Sequence, residues 1–570
     1  MSLAVLLILG SLTALGYRIQ RPLLIAAATG AGLGLVSPPT SLWWLHWILW
    51  VPVITLMKPD AWKANFRLGY LAGVFALCIC FFWISESIIH YSNLPRPVAL
   101  LAVLLFAAAY ALPMAITFAS VRPLRKHFQR TWIFLVPAVA VASEFALLAV
   151  DQITGIRLAL FPYFQGATQY RVLELVQIAS VTGIYVMTYL IYLTNCALAE
   201  CVFRHQEGRE IPWRIPAAAF GIVLVNAAWG HFRIAQVEAA VEDWPTVRIT
   251  QLQQDLTMEK RMQKAAAGAR SEGGGLAKLE GIQTEDSADE NDPLLNCPDA
   301  LCTWSYLTGQ LRGEAVDLVV YPEGSLLRDP RRGRTLRRLM WESGQADAPI
   351  LLGAGYRDRK ADGTHSDHNS IFLFNEEGID QIYNKMILLP FGEFIPFSNT
   401  FPVLKKWIQG PGDFSAGEEA TAFTIKAQDD RPAFSFHTPV CYEAIIPHFM
   451  RTHMSDSDLL VNVTNDGWFG DTMAPHQHAM LAIARTIELG TPMYRLGFTG
   501  VSMTASPTGE ISNETAAFER VARIVEVPVG QLDTIYKKLG DWFGWLCTLL
   551  SLGLWINFKR KSVTPAPPEA

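Results

Sequence analysis

Apolar residues run almost unbroken through the first 230 positions and then break up into short alternating stretches. A bilayer core takes about 20 apolar residues as a helix, and no fewer than about 17. Runs of this kind fall at residues 2–17, 21–37, 41–57, 66–90, 97–121, 131–150, 171–203, 215–230 and 540–557. They predict a transmembrane helical bundle of about eight spans over 1–230 and a C-terminal span at 540–557. The first run is short and tightly joined to the second. A cleaved signal peptide is its other reading, but no positive region precedes it.

Beyond a linker at 231–245, residues 246–530 read as an α/β domain. VRITQLQ opens it as a short alternating strand. VDLVVYPE (316–323) and PILLGAGY (349–356) read as buried strands. NSIFLFN (369–375) and IDQIYNK (379–385) form a hairpin around residues 376–378. PAFSFHTPVCYE (432–443) is a strand running into a turn, and SDLLVNVTND (457–466) is another strand. HQHAMLAIARTIELG (476–490) has helical periodicity and a Gly stop. MTASPTGEI (503–511) reads as strand, turn, strand. Residues 264–296 read as a low-complexity, mobile insertion.

Charge orients the bundle. Only 17% of residues are charged, against about 25% in a typical soluble domain. The net charge of −5 and the lack of a long basic tract give no sign of nucleic acid binding. Lys and Arg gather in alternate links: Arg18 and Arg21; Lys58, Lys63 and Arg67; Arg122, Arg125, Lys126 and Arg130; Arg204, Arg209 and Arg214; and Lys559, Arg560 and Lys561 in the tail. The opposite links offer mainly Arg96 and Arg157. Basic links lie on the cytoplasmic side. The α/β domain is therefore expected outside.

Five of the eight cysteines lie in or beside apolar runs and read as small buried hydrophobes. Cys297 and Cys302 are close enough for a local disulfide if the domain is extracytoplasmic. Two such ligands make a poor zinc case, and neither metal nor cofactor is expected. Three polar residues stand where strands end: Glu323, Lys385 and Cys441. Singly, each has a bland reading as a solvated cap, a surface lysine or an inert thiol. Together they fall where α/β folds place functional groups.

VVYPEGS, YNKMILLPFGEFIP, TPVCYEAIIP and VNVTNDGWFGDTMAPHQHAMLAIARTIELGTP resemble the apolipoprotein N-acyltransferase family. The resemblance extends to GYLAGVFALCICFFWISESI and SEFALLAVDQITGIRLALFPYFQG in the bundle. It implies a membrane bundle fused to a nitrilase-like αββα sandwich. It also implies Glu323 as base, Lys385 as oxyanion partner and Cys441 as nucleophile of a thioester mechanism. The donor would be a phospholipid, and the acceptor the free α-amine of a diacylglyceryl-cysteine lipoprotein. The setting would be a bacterial inner membrane, with catalysis on the periplasmic face.

A thiol of ordinary pKa about 8.5 needs a base or cation to react at neutral pH. Glu323 and Lys385 supply one of each. The backbone N–H of Tyr442 is a candidate second oxyanion donor. Glu393 and Glu443 are accessory candidates. Glu393 keeps Lys385 charged, shares in proton transfer, or only stiffens its loop. Asn369, Asn465 and Asp466 are candidate supports. The apolar loop 394–408 reads either as a lid dipping into headgroups or as an edge packed on the bundle.

Four departures from the family pattern stand out. LQQDLTMEKR lacks the usual Trp after the first strand, Ile387 replaces a frequent His, Phe498 stands where Asn is common, and 264–296 is atypical. They bear on the acceptor more than on the thioester. A membrane-anchored amidase or hydrolase would use the same trio, as would a transferase with another amine acceptor. A transporter would need buried charges on an ion path, and Glu86, Glu144 and Glu200 lie in different segments.

Overall fold

A computed structural model describes residues 22–92, 95–154, 164–255, 300–326, 329–331, 333–359, 363–395, 413–426 and 432–563. The expected span at 2–17, the insertion at 264–296, Cys297, Arg157 and most of loop 394–408 lie outside the described residues. The described chain forms two compact units. One takes residues up to Ala239, His476–Gly490, and those from Asp533 onward. The other takes Ala240–Pro475 and Thr491–Leu532. The α/β stretch read as continuous over 246–530 thus gives up one helix to the helical unit.

Among the described residues, five helical runs are long and apolar enough to cross a membrane. These are Trp62–Cys80, Arg96–Phe128, Trp132–Thr154, Tyr185–Gln206 and Arg214–Val241. Arg96–Phe128 is interrupted at Ala111, ahead of Pro113, which has no N–H to donate back along the helix. Shorter apolar helices cover Pro22–Val36 and Trp542–Phe558. Leu105, Val225, Phe232 and Leu549 are exposed, a surface that suits lipid rather than water.

Three expected spans are drawn differently. Residues 41–57 are a broken run of short helices, Trp43–Leu45, His46–Leu49 and Val51–Leu56. Asn195 bridges the break, accepting from the Trp50 N–H at 2.8 Å and donating to the His46 carbonyl at 3.0 Å. The expected span 171–203 begins as the short turns Leu173–Val176 and Ala179–Thr182 and becomes one helix only after Gly183, whose φ is +70°. The helix expected at 215–230 runs on to Val241, through most of the stretch read as a linker.

Glu144 accepts from the backbone N–H of Gln165 at 2.6 Å, and Thr188 from that of Gly166 at 2.9 Å. Irregular backbone inside a bundle needs such partners. Glu200 accepts from Arg125 at 2.6 Å, Arg204 at 2.9 Å and the Trp132 indole at 3.1 Å. Two of the acids that a transporter would use are therefore structural ties.

In the other unit, β1 (Thr246–Gln253) pairs antiparallel with β12 (Val521–Pro528). β2 (Val319–Leu326), β3 (Ile350–Arg359), β4 (His365–Asn375) and β5 (Gly378–Asn384) form a second sheet in that order. Bonds from Thr250 N–H to the Leu318 carbonyl and from Asp317 N–H to the Arg248 carbonyl join β1 to the entrance of β2. A third, six-stranded sheet has the order β11-β10-β9-β8-β7-β6. Its strands are β6 (Ala422–Ile425), β7 (Phe434–His437), β8 (Leu459–Thr464), β9 (Met493–Gly497), β10 (Met503–Ala505) and β11 (Ile511–Ser512).

Helices Ala300–Gly309 and Gly333–Ala346 cover one face of β2–β4, contributing Leu301, Trp304, Leu307 and Leu339 to a core with Val319, Tyr321, Ile350, Phe372 and Phe374. The alternate residues Val320, Leu351, Ile371 and Leu373 are also buried, so these strands are covered on both faces. Parallel β2 and β3 are joined through helix Gly333–Ala346, as a crossover requires.

Candidate active site

Glu323 sits at a bulge in β2, where the register against β3 shifts between Tyr321 and Leu326. Gly324 takes φ +65° there. Across the bulge a Cβ on Gly353 would lie 2.6 Å from the Glu323 Cα, so only glycine fits. The bulge turns the carboxylate inward, where its Oε2 accepts from the Asn465 N–H at 2.9 Å.

Lys385 follows β5, its N–H donating to the Asn369 carbonyl at 2.9 Å. Its ammonium is 1% exposed and lies 3.2 Å from Glu323 Oε1 and 2.9 Å from Glu393 Oε2. Asn369 donates from one amide nitrogen to Glu323 Oε1 at 2.8 Å and to Glu393 Oε1 at 2.7 Å. Glu393 is tied to its loop by the Leu389 N–H at 2.7 Å. Burial alone would lower the Lys385 pKa. Glu323 and Glu393, aided by Cys441 and Glu443, outweigh it and hold the ammonium well above the ordinary lysine value. Glu393 thus contacts both the Lys385 ammonium and its own loop.

Cys441 opens a 3-10 turn, Cys441–Ile445, with φ +51°. A left-handed φ on a non-glycine residue is a strained position of the kind found at functional turns. Burial raises the thiol well above its ordinary value. Glu323 and Asp466 add to this, while Lys385 and a hydrogen bond with Thr464 oppose it. Burial therefore favours the protonated thiol at rest.

Glu443 is fully buried and works as a clamp. Its Oε1 accepts from the Tyr383 hydroxyl at 2.8 Å, Met386 N–H at 2.7 Å and Ile387 N–H at 2.9 Å. Its Oε2 accepts from the Val440 N–H at 2.7 Å. One carboxylate thus ties the Lys385 loop to the residue before Cys441. Burial pushes it up to about 7, against the pull of Lys385 and these donors. Ile387, one of the departures, contributes a backbone bond here. Phe498, another, is 1% exposed and packs edge-on against Trp304 at 5.1 Å, inside the core. Tyr442 is buried next to Cys441.

The structure also brings in residues not singled out from the sequence. Arg495 and Asn462 lie fully buried with Asp466 beneath the Cys441 turn. Polar residues inside β8 and β9 strands that otherwise read as apolar were the available signal. Cys302 is disulfide-bonded.

Residues 246–537 match the carbon-nitrogen hydrolase model, which alone takes in more than half of the chain. Residues 29–197 match the apolipoprotein N-acyltransferase N-terminal domain. An apolipoprotein N-acyltransferase of Geobacter metallireducens is 27% identical over 554 residues, covering 95% of this chain and 96% of that protein. One of Chlorobaculum tepidum is 24% identical, covering 94% and 96%. One of Bdellovibrio bacteriovorus is 33% identical over 216 residues, covering 36% and 38%. With an α/β domain following an apolar helical region in the chain and both domain models matched, the chain belongs to the carbon-nitrogen hydrolase family, in its apolipoprotein N-acyltransferase branch.

Proposed function

We propose that this acyltransferase moves an acyl chain from a phospholipid to Cys441, and from there to the α-amino group of the diacylglyceryl-cysteine of a lipoprotein. The observation that carries the reading is the buried Glu323–Lys385–Glu393 set, in which Glu323 and Lys385 stand close enough for their charges to act on the Cys441 thiol. Glu323 takes the thiol proton as sulfur bonds to the ester carbonyl carbon. The oxyanion that forms is met by the Lys385 ammonium and the Tyr442 N–H. The ester C–O bond then breaks, and Glu323 hands the proton to the departing alcohol. In the second half-reaction the amine attacks the thioester and Glu323 accepts its proton. The C–S bond breaks, the proton returns to sulfur, and an amide is released.

The protein sits in a membrane, and we place it in a bacterial inner membrane with the catalytic unit on the extracytoplasmic face. The one-sided Lys and Arg links support that orientation. So does the Cys302 disulfide, which an oxidising compartment preserves. An exported lipoprotein also meets an outer-leaflet donor on that face.

The test is intact-mass detection of an acyl adduct after incubation with phospholipid micelles, beside Cys441→Ala. Native protein should gain one acyl mass on Cys441 and lose it to a diacylglyceryl-peptide. Absence of the adduct would refute the thioester. Discharge by water as fast as by the peptide would favour a hydrolase instead.

A further inference from the structure

A fully buried guanidinium lies under the nucleophile turn, and the mechanism above does not use it. Arg495, on β9, donates through Nη2 to Asp466 Oδ2 at 2.6 Å, through Nη1 to Asn462 Oδ1, and through Nε to the Val501 carbonyl at 3.2 Å. Both members of the Arg495–Asp466 pair have no solvent exposure. Burying such a pair is costly, and well-packed apolar residues commonly serve stability as well or better. What this pair holds therefore matters.

Two chains of contact lead from it to Cys441. In the first, Asn462 donates to the Pro439 carbonyl at 2.7 Å, two residues before the nucleophile. Val440 in between bridges Val463 of the β8 strand end. In the second, Asp466 Oδ1 accepts from the Thr464 hydroxyl at 2.8 Å, and Thr464 is itself hydrogen-bonded with the thiol. Asp466 stands close enough for its charge to act on the sulfur. A planar fork is what lets one side chain serve both routes; a lysine offers a point charge without the fork.

We propose that Arg495 is a positioning residue for thioester formation: it neutralises Asp466 beside the nucleophile and, through Asn462, holds the Pro439 carbonyl that sets the Cys441 turn. The proposal rests on Cys441 being the nucleophile. Without Arg495, Asp466 would lose its guanidinium partner beside a sulfur that must become an anion. Lipid binding would be untouched, because no contact described for Arg495 leaves the interior of the domain.

The test uses the full-length protein in mixed micelles of phosphatidylethanolamine and phosphatidylglycerol, with single-turnover growth of the Cys441 adduct followed by mass. Arg495→Met should slow the maximal rate by about 30-fold, or 2 kcal/mol by the transition-state relation, while the half-saturating lipid concentration stays within a factor of two. Arg495→Met with Asp466→Asn should recover most of that rate, because the stranded charge is gone. Asn462→Ala leaves the ion pair in place and should slow acylation on the order of 10-fold, which keeps the proposal testable if Arg495→Met fails to fold. A native maximal rate in Asn462→Ala overturns the proposal. So does a double variant no faster than the single one, or a loss expressed only in the half-saturating concentration. Absence of an adduct on native protein would instead remove the thioester reading itself.

Discussion

Replacing Glu443 by glutamine keeps the shape of the clamp and, above about pH 7 where the carboxylate is ionised, removes its charge. Three donors converge on Oε1 and one, the Val440 N–H at 2.7 Å, on Oε2. An amide has one acceptor oxygen. With that oxygen at the Oε1 position, the Tyr383, Met386 and Ile387 bonds survive and the amide NH2 faces the Val440 N–H. The reverse orientation opposes three donors and is worse. The surviving arrangement loses a bond to a charged acceptor and leaves a buried N–H unpaired, together about 2–3 kcal/mol. Val440 immediately precedes Cys441, so the loss falls on the turn that aims the sulfur. If it is felt fully in the transition state, Cys441 acylation slows on the order of 30- to 150-fold. The assay is single-turnover adduct formation at saturating phospholipid, with thermal unfolding in the same detergent to separate rate from stability. A Glu443→Gln protein that is folded and acylates within about threefold of native would refute the clamp as a determinant of nucleophile geometry.

The raised Cys441 thiol predicts that iodoacetamide modification of this residue keeps rising with pH, with no plateau by about pH 9, whereas an ordinary thiol levels off above about 8.5; peptide mass mapping reads it, and a plateau below about pH 8 contradicts the burial argument. Asn369→Leu removes the donor shared by Glu323 and Glu393 and should slow adduct formation by about 10- to 100-fold, since bonds to charged groups contribute about 1.5–3 kcal/mol; an unchanged rate would show the shared amide to be dispensable. Gly353→Ala places a Cβ 2.6 Å from the Glu323 Cα and 2.7 Å from the Pro322 carbonyl oxygen. It should cost about 1–3 kcal/mol of stability and lower the acylation rate together, seen as a falling melting temperature and a slower adduct. Gln477→Leu leaves the Cys80 carbonyl and the Trp83 indole, now bonded at 3.0 and 3.1 Å, without this partner. Its destabilisation should be about 2 kcal/mol, and a melting temperature equal to native would contradict it.

The candidate trio was legible because its members fall in or just after strand-like runs, although Glu323 lies at a bulge inside β2 and not at its end. The supports were not, because their roles depend on pairing across strands. Asn369 looks like one polar position in the middle of β4, and nothing local marks its amide as shared by two carboxylates. Arg495 reads as a basic residue in an apolar run until Asp466 and Asn462 are brought beside it. Hydrophobic runs marked the apolar segments but could not see the breaks at Trp50 and Gly183, where backbone geometry rather than apolarity decides. Helix Gly333–Ala346 carried its own signal in Leu336, Leu339 and Met340 at helical spacing. The alternation in VARIVEVP likewise marks β12. The departure at Phe498 proved to be a core residue, which removes it as a substrate contact.

The helix that ends at Gly490 and the chain from Asp533 onward are part of the helical unit, although hundreds of residues separate them from its first helices. Their polar ties include Glu488 accepting from the Ile184 N–H at 2.9 Å and Asp541 accepting from the hydroxyls of Tyr185 at 3.0 Å and Tyr536 at 2.6 Å. Synthesis proceeds from the N-terminus at about 5–20 residues per second. The early helices therefore reach the bilayer well before the ribosome delivers the segments that complete them. Insertion and final packing are separate events in the life of this chain. A stop codon before residue 476 would strand an inserted but unfinished bundle, and residues 246–530 expressed alone would carry a buried helix stripped of its neighbours.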